Sequence, residues 1–268
     1  MSSPAPSILI TGGASGLGRA LAELAARRGY RVAIADTHSV RSEEVCAQLA
    51  DLNTEHLQLT CDIRRDGDLR QAVERVMRRW GQLDILINNA GIAGTGLFET
   101  LSDDDWRALL DTNLLGTVRA CRAAVSAMKR QGSGHIINVA AVQGLIPAPG
   151  MSSYSATEAA LIALSESLYS ELQPLGIKVS VACPSFFRSN LADTLRASEP
   201  VSRARFERLL VRHDFSPAEI AERIFRGIDA GDFMILPQPG LKQVWRQKRW
   251  LPGRALKGMQ ALAEKLRR

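Results

Sequence analysis

Seven short apolar runs recur along the chain: SILIT (7–11), RVAIAD (31–36), HLQLT (56–60), DILIN (84–88), HIINVA (135–140), KVSVAC (178–183) and FMILP (233–237). They lack the strict polar alternation of a half-exposed strand and read as strands covered on both faces. Between them lie longer segments with apolar residues at helical spacing, such as LGRALAELAARRG (17–29) and DLRQAVERVMRRWG (68–81). Gly29 and Gly81 stand where those helices should stop. Strands alternating with helices predict an α/β fold, a single doubly wound domain over residues 1–240 with a parallel sheet inside. Residues 241–268 form a C-terminal extension.

Composition narrows this picture. At 268 residues, with 46% apolar and 23% charged residues, the chain suits a soluble globular protein with an ample core. No apolar run is long enough to cross a bilayer. The start, MSSPAPSILITGG, has neither a basic head nor a signal-type apolar segment, so a cytoplasmic location is expected. Cys46, Cys61, Cys121 and Cys183 form no CxxC pair and read as reduced, buried thiols. His38, His56 and His135 do not cluster, and His213 reads as a lid or surface histidine, so no metal is expected. Residues 241–268 hold nine Lys/Arg and one acid, net +8, which leaves the other 240 residues at −2 of the total +6. The body therefore gives no reason to expect nucleic acid. The extension joins that charge to Trp245, Trp250 and a helical apolar pattern, a mixture suited to an anionic membrane surface. The alternative is a solvated helix packed on the body or on another subunit.

The first strand runs into TGGASGLG (11–18) and then a helix. Glycines at 12, 16 and 18 let the backbone turn tightly and approach a pyrophosphate at the helix N-terminus. The second strand ends at Asp36, eighteen residues after Gly18. A carboxylate there can accept from both adenosine ribose hydroxyls and repels a 2′-phosphate, which favours NAD over NADP. Ser15 stands where a basic residue would meet that phosphate. Arg19 and Arg41 are the cations able to reverse the preference.

Further motifs follow in order: CDI (61–63), NNAG (88–91), DTNLLG around Asn113, INVAAVQG (137–144), YSATE (154–158) and CPSFFRSN (183–190). With TGxxxGxG, they resemble the short-chain dehydrogenase/reductase family across about residues 7–237. The resemblance implies a Rossmann-type domain with a seven-stranded parallel sheet, and a homodimer or homotetramer. It implies that Gly12, Ser15, Leu17 and Gly18 line the pyrophosphate and that Asp62 and Ile63 flank the adenine. Asn89, Ala90 and Gly91 should support the central strand and touch the adenosine ribose. Pro184 to Ser189, Phe187 among them, should lie by the nicotinamide, with Ser185 where the family has glycine. Tyr154 matches the catalytic acid/base. Asn113 matches the holder of a proton-relay water, or else is a helix-kink asparagine.

Two positions depart from the family pattern. Ala141 stands at the serine that would bond the substrate oxygen, and Glu158 at the lysine that would bind the nicotinamide ribose and lower the tyrosine pKa. A unit charge about 5 Å away at an effective dielectric near 20 is worth roughly 3 kcal/mol, so reversing its sign shifts a tyrosine by up to about 5 pKa units. A tyrosine kept neutral cannot abstract a proton but can still donate one, so reduction survives more easily than alcohol oxidation. Glu158 could instead accept from the nicotinamide ribose, and Ser152 or Ser153 could replace the missing hydroxyl. Phe186, Phe187, Leu145, Ile146 and Met151, under a lid at 190–215, suggest a pocket for a hydrophobic carbonyl or alcohol. The leading expectation is an NAD(P)-dependent oxidoreductase impaired at Ala141 and Glu158. The alternative is a non-catalytic NAD-binding sensor or scaffold.

Overall fold

The computed structural model describes residues 4–266. Met1–Ser3 of the expected signal-free start, and Arg267 and Arg268 of the basic extension, lie outside the described residues. In chain order the elements begin with β1 (Ser7–Thr11), α1 (Gly16–Arg27), β2 (Arg31–Asp36), α2 (Ser39–Asp51), β3 (His56–Thr60), α3 (Asp66–Trp80), β4 (Ile85–Asn88) and the two-residue β5 (Gly94–Thr95). Then come α4 (Asp103–Leu109), a π-helical turn Leu110–Gly116, α5 (Thr117–Gln131), β6 (Gly134–Val139), a 3-10 turn Val142–Gly144, α6 (Ser152–Leu172) and β7 (Ile177–Ala182). The chain continues through β8 (Arg196–Ala197), α7 (Pro200–Val211), α8 (Pro217–Ala230), β9 (Met234–Ile235), α9 (Leu241–Trp250) and α10 (Pro252–Leu266).

Seven strands form one parallel sheet in the order β3-β2-β1-β4-β6-β7-β9. Alternation within β1 shows why both faces are covered. Ile8 and Ile10 enter a core with Leu21, Val45, Leu49, Ile224 and Phe225 from α1, α2 and α8. Leu9 enters the opposite core with Val76, Ala124, Met128 and Leu172 from α3, α5 and α6. This is the period-two geometry of a strand buried on both sides. The first three strands form where their apolar runs lie, whereas the run at 233–237 contributes just Met234 and Ile235, paired with Val181 and Ala182. Gly81 closes α3 in the left-handed region at φ 76°, while α1 ends at Arg27, with Gly29 at φ 80° two residues on.

Because β1 is flanked by β2 on one side and β4 on the other, chain direction across the sheet reverses there and a crevice opens at the strands' C-terminal ends. The segment expected to be a lid reaches it through residues 189–196, where β8 pairs with β5, and continues into α7. Beyond β9, Trp245 of α9 packs on the cluster of Leu145, Leu161 and Ile162, and Lys248 Nζ donates to the carbonyl of Leu145. Next to α9, α10 leaves Leu256 and Leu262 exposed, and Trp250 between the helices is 79% exposed. Among the described residues no helix is long and apolar enough to cross a membrane.

Candidate active site

A cavity of 650 Å³ fills the crevice and runs from Asp36 to Tyr154. At one end the loop after β1 is shaped by close approach. Gly12 lies at φ 65°, and a Cβ there would sit 2.9 Å from Ala90 Cα, so only glycine fits. Ser15 caps α1 without a side-chain cap bond, and its hydroxyl lines the cavity beside Leu17. The first turn of α1 carries no acid, so its positive end faces the cavity uncompensated. Asn89 ties this loop to β4, its Nδ2 donating to the carbonyls of Thr11 and Gly12 at 3.1 and 3.2 Å. Gly18 differs from expectation: it does not line the cavity, and a Cβ on it would overlap the Gly12 carbonyl oxygen. Its part is to let α1 pack against the loop.

Asp36 lies at the end of β2, where it accepts from the N–H groups of Ala14 at 3.1 Å and His38 at 3.0 Å, one on each carboxylate oxygen. A lone pair on each oxygen is left for a ligand. Arg41 also lines the cavity, but its guanidinium pairs with Asp193 of the lid at 3.5 Å. Arg19 bonds Glu23 and Gln48 instead and does not reach the cavity. Asp62, Ile63, Ala90 and Gly91 line the middle. Arg64 donates to Asp62 through Nε and Nη2 and holds that carboxyl below the usual range.

At the far end lie Asn113, Ala141, Tyr154 and Glu158, all buried and all lining the cavity. Asn113 sits inside the π-helical turn, a distortion common at functional sites. Its Oδ1 accepts from Ile92 N–H at 2.9 Å, and its Nδ2 donates to Ile92 carbonyl at 2.9 Å and to Glu158 Oε1 at 3.1 Å. Both amide hydrogens are therefore engaged, and the side chain has no donor left for a relay water. The Ala141 backbone N–H also favours the charged form of Glu158. Glu158 turns inward, 4% exposed, and burial pushes its pKa up to about 8 despite the Asn113 bond and the Ala141 N–H. This corrects the expectation of a carboxylate: near neutral pH Glu158 is mostly a neutral acid, because an ion there would be almost stripped of water. The Tyr154 hydroxyl is raised well above 10, first by burial and second by Glu158. The direction matches the expectation, but burial is the larger cause.

Ser152 and Ser153 do not replace the missing hydroxyl, since both hydroxyls are buried on α6 and neither residue lines the cavity. Leu145 and Ile146 pack with Val181 and Cys183, and Met151 packs with Leu195 and Phe206, so all three belong to the core and not to the pocket. The apolar lining comes instead from Ile92, Val139, Leu161, Phe186, Phe187 and Leu191. Pro184 and Ser189 line the cavity as well. His213 stacks on Phe186 with centroids 6.1 Å apart. The four cysteines are buried and free, and among the described residues no group of three His, Cys, Asp or Glu could hold a metal. Sequence reasoning missed two glutamines. Gln143 lines the cavity, and its polar letter inside INVAAVQG was the signal available. Gln238 accepts from Ser185 N–H at 3.0 Å and donates to the carbonyls of Ser185 and Phe186, clamping a loop 53 residues away. Nothing local in the sequence marks that reach.

Comparison with known proteins agrees with this geometry. A family model described as short chain dehydrogenase matches residues 6–200. The 3-oxoacyl-[acyl-carrier-protein] reductase of Bos taurus is 37% identical over 186 residues, 69% of this chain and 77% of that protein. A short chain dehydrogenase/reductase from Burkholderia phymatum, solved in complex with NAD, is 25% identical with a TM-score of 0.87, covering 93% of this chain and 95% of its own. A short-chain dehydrogenase from Streptomyces avermitilis is 29% identical with a TM-score of 0.84, covering 98% of this chain and 99% of its own. The glycine-rich first loop, the parallel sheet and the matched family model together place this chain in the short-chain dehydrogenase/reductase family.

Proposed function

We propose that this chain is an NAD-preferring reductase of hydrophobic carbonyl compounds whose proton-transfer set is weakened at Ala141 and Glu158. The observation that carries this reading is Tyr154, a buried phenol in the cavity whose pKa is driven upward and which therefore stays protonated. The residues fit a dinucleotide: Gly12, Ser15 and Leu17 surround the α1 N-terminus for a pyrophosphate, and Asp36 offers acceptors for ribose hydroxyls. Asp62 and Ile63 would flank the adenine. Asn89, Ala90 and Gly91 would meet the adenosine ribose, and Pro184, Phe187 and Ser189 the nicotinamide. When bound, the nicotinamide supplies hydride to a carbonyl carbon. Tyr154 gives its hydroxyl proton to the oxygen of that carbonyl. Below about pH 8 the neutral Glu158 adds no charge against the tyrosinate left behind. Alcohol oxidation would require tyrosinate beforehand, and the burial of Tyr154 opposes it. Ala141 offers no hydroxyl to the developing oxyanion, a loss of about 10²–10³ in rate when such a donor is removed. The relatives named 3-oxoacyl-[acyl-carrier-protein] reductase support the reductive direction.

Calorimetric titration with NADH and NADPH tests the binding half without a substrate. NADH should bind at least about tenfold tighter, and equal or reversed affinities would contradict the role given to Asp36. A second reading, a non-catalytic NAD sensor or scaffold, is favoured by one contact: Glu158 takes up the Asn113 donor. Substituting Ala141→Ser and Glu158→Lys together separates the two. Turnover of hydrophobic ketones should rise at least about 100-fold for an enzyme pocket, whereas a scaffold stays silent. We also propose a homodimer or homotetramer, cytoplasmic, touching anionic membrane surfaces through the basic helices α9 and α10.

A further inference from the structure

Ala141 leaves a carbonyl oxygen in this cavity one donor short, and the cavity wall holds a donor to spare. Gln143 follows two residues later, in the turn Val142–Gly144. It is 4% exposed and lines the cavity, yet among the described residues its side-chain amide has no hydrogen-bond partner. The amide is thus open to the cavity and bonds nothing in the protein, which leaves both its donors and its acceptor free for a ligand. The backbone fixes where it stands. Val142 N–H donates to Pro184 carbonyl at 2.9 Å, and Gly144 N–H to Ala141 carbonyl at 3.0 Å. Behind the turn there is no room: a Cβ on Gly144 would lie 2.7 Å from the Glu158 carbonyl carbon and 2.8 Å from Ala159 N. The turn is pressed against α6, the helix that carries Tyr154.

We propose that Gln143 is the substrate-orienting residue of this site, its Nε2–H group donating to the carbonyl oxygen in place of the hydroxyl that Ala141 lacks. The inference rests on the reductase reading. The amide also carries an acceptor, Oε1, so it favours carbonyl substrates bearing a second polar group close by over plain ketones. A glutamine cannot supply a proton, so Tyr154 remains the donor to the product alkoxide, and Gln143 acts by geometry and by stabilising charge on the oxygen.

The test compares the unmodified chain with Gln143→Leu, which keeps a branched, uncharged side chain one bond shorter and removes the amide. NADH affinity by calorimetry, melting temperature, and NADH-dependent reduction of a 3-oxodecanoyl N-acetylcysteamine thioester are read on the same preparations. We expect kcat/KM to fall at least tenfold while NADH affinity stays within twofold. We expect the melting temperature to hold within about 2 °C, since the amide that is removed bonds nothing in the protein. In an Ala141→Ser background the same substitution should change kcat/KM less than threefold, because the hydroxyl then holds the oxygen. A marked loss of stability, or an unchanged kcat/KM in a chain that turns over, overturns the role of Gln143 alone. If the unmodified chain binds NADH but reduces nothing, 2-decanone and 3-oxodecanoate are titrated into the NADH-loaded protein, and equal affinities in both variants overturn it. Failure of the unmodified chain to bind NADH overturns the reductase reading itself.

Discussion

At position 158 a carboxyl replaces the expected ammonium, and what matters is where the chain puts it. The carboxyl is buried and accepts from the Asn113 amide, and its pKa is pushed up to about 8 from the 4.5 of an unfolded glutamate. The folded state thus holds a proton that the unfolded state has released between those values. The resulting stability is fully present below about pH 4.5 and is lost as the pH rises through about 8, a difference of about 5 kcal/mol. Glu158→Gln should flatten this slope in urea unfolding between pH 5 and 9; an unchanged slope would mean the carboxyl ionises freely. The identities of Tyr154, Asn113, Ala141 and Glu158 could be read from the sequence, as could the direction of the tyrosine shift. The charge state of Glu158 could not, because its burial depends on the π-helical turn that brings Asn113 against α6.

Elements differ in how plainly they announce themselves. β1, β2 and β3 are continuous runs whose ends are set by the loops they feed, so their spans were legible to the residue. β9 is not, because at the sheet edge just two residues find partners on β7. The loop at 184–189 carries a readable motif, but its support comes from Gln238, and that contact exists only once β7 and β9 lie side by side. Gln238→Leu leaves the Ser185 N–H and two carbonyls without this partner. It should lower stability by about 1–3 kcal/mol and weaken NADH binding about tenfold, as measured by urea unfolding and calorimetry. Binding unchanged despite the lost stability would place the loop outside the cofactor site.

For the molecule as a whole, the alternation of strands and helices made the doubly wound sheet legible, and the crevice between β2–β1 and β4 follows from that topology. The cavity's apolar lining was misplaced, because Leu145, Ile146 and Met151 point into cores that form only when α6, α7 and α9 are packed. The charge asymmetry needed no structure to be seen. The fold adds that Trp250 and Leu251 are exposed between α9 and α10, beside Arg249 and Arg254. The full chain should cosediment with vesicles containing phosphatidylserine at low salt and dissociate at about 0.5 M salt, and Trp250→Glu should weaken that binding. Absence of cosedimentation at low salt would leave these helices to another copy of the chain.

Ionisation of Tyr154 tests the account most directly, and it requires neither substrate nor cofactor. The chain has three tyrosines, Tyr30, Tyr154 and Tyr169, so ultraviolet titration against the Tyr154→Phe variant isolates one phenol. We predict no tyrosinate signal from Tyr154 below about pH 10. A Tyr154-dependent signal titrating near pH 7 would contradict the proposal that burial, joined above about pH 8 by the Glu158 carboxylate, holds this group protonated.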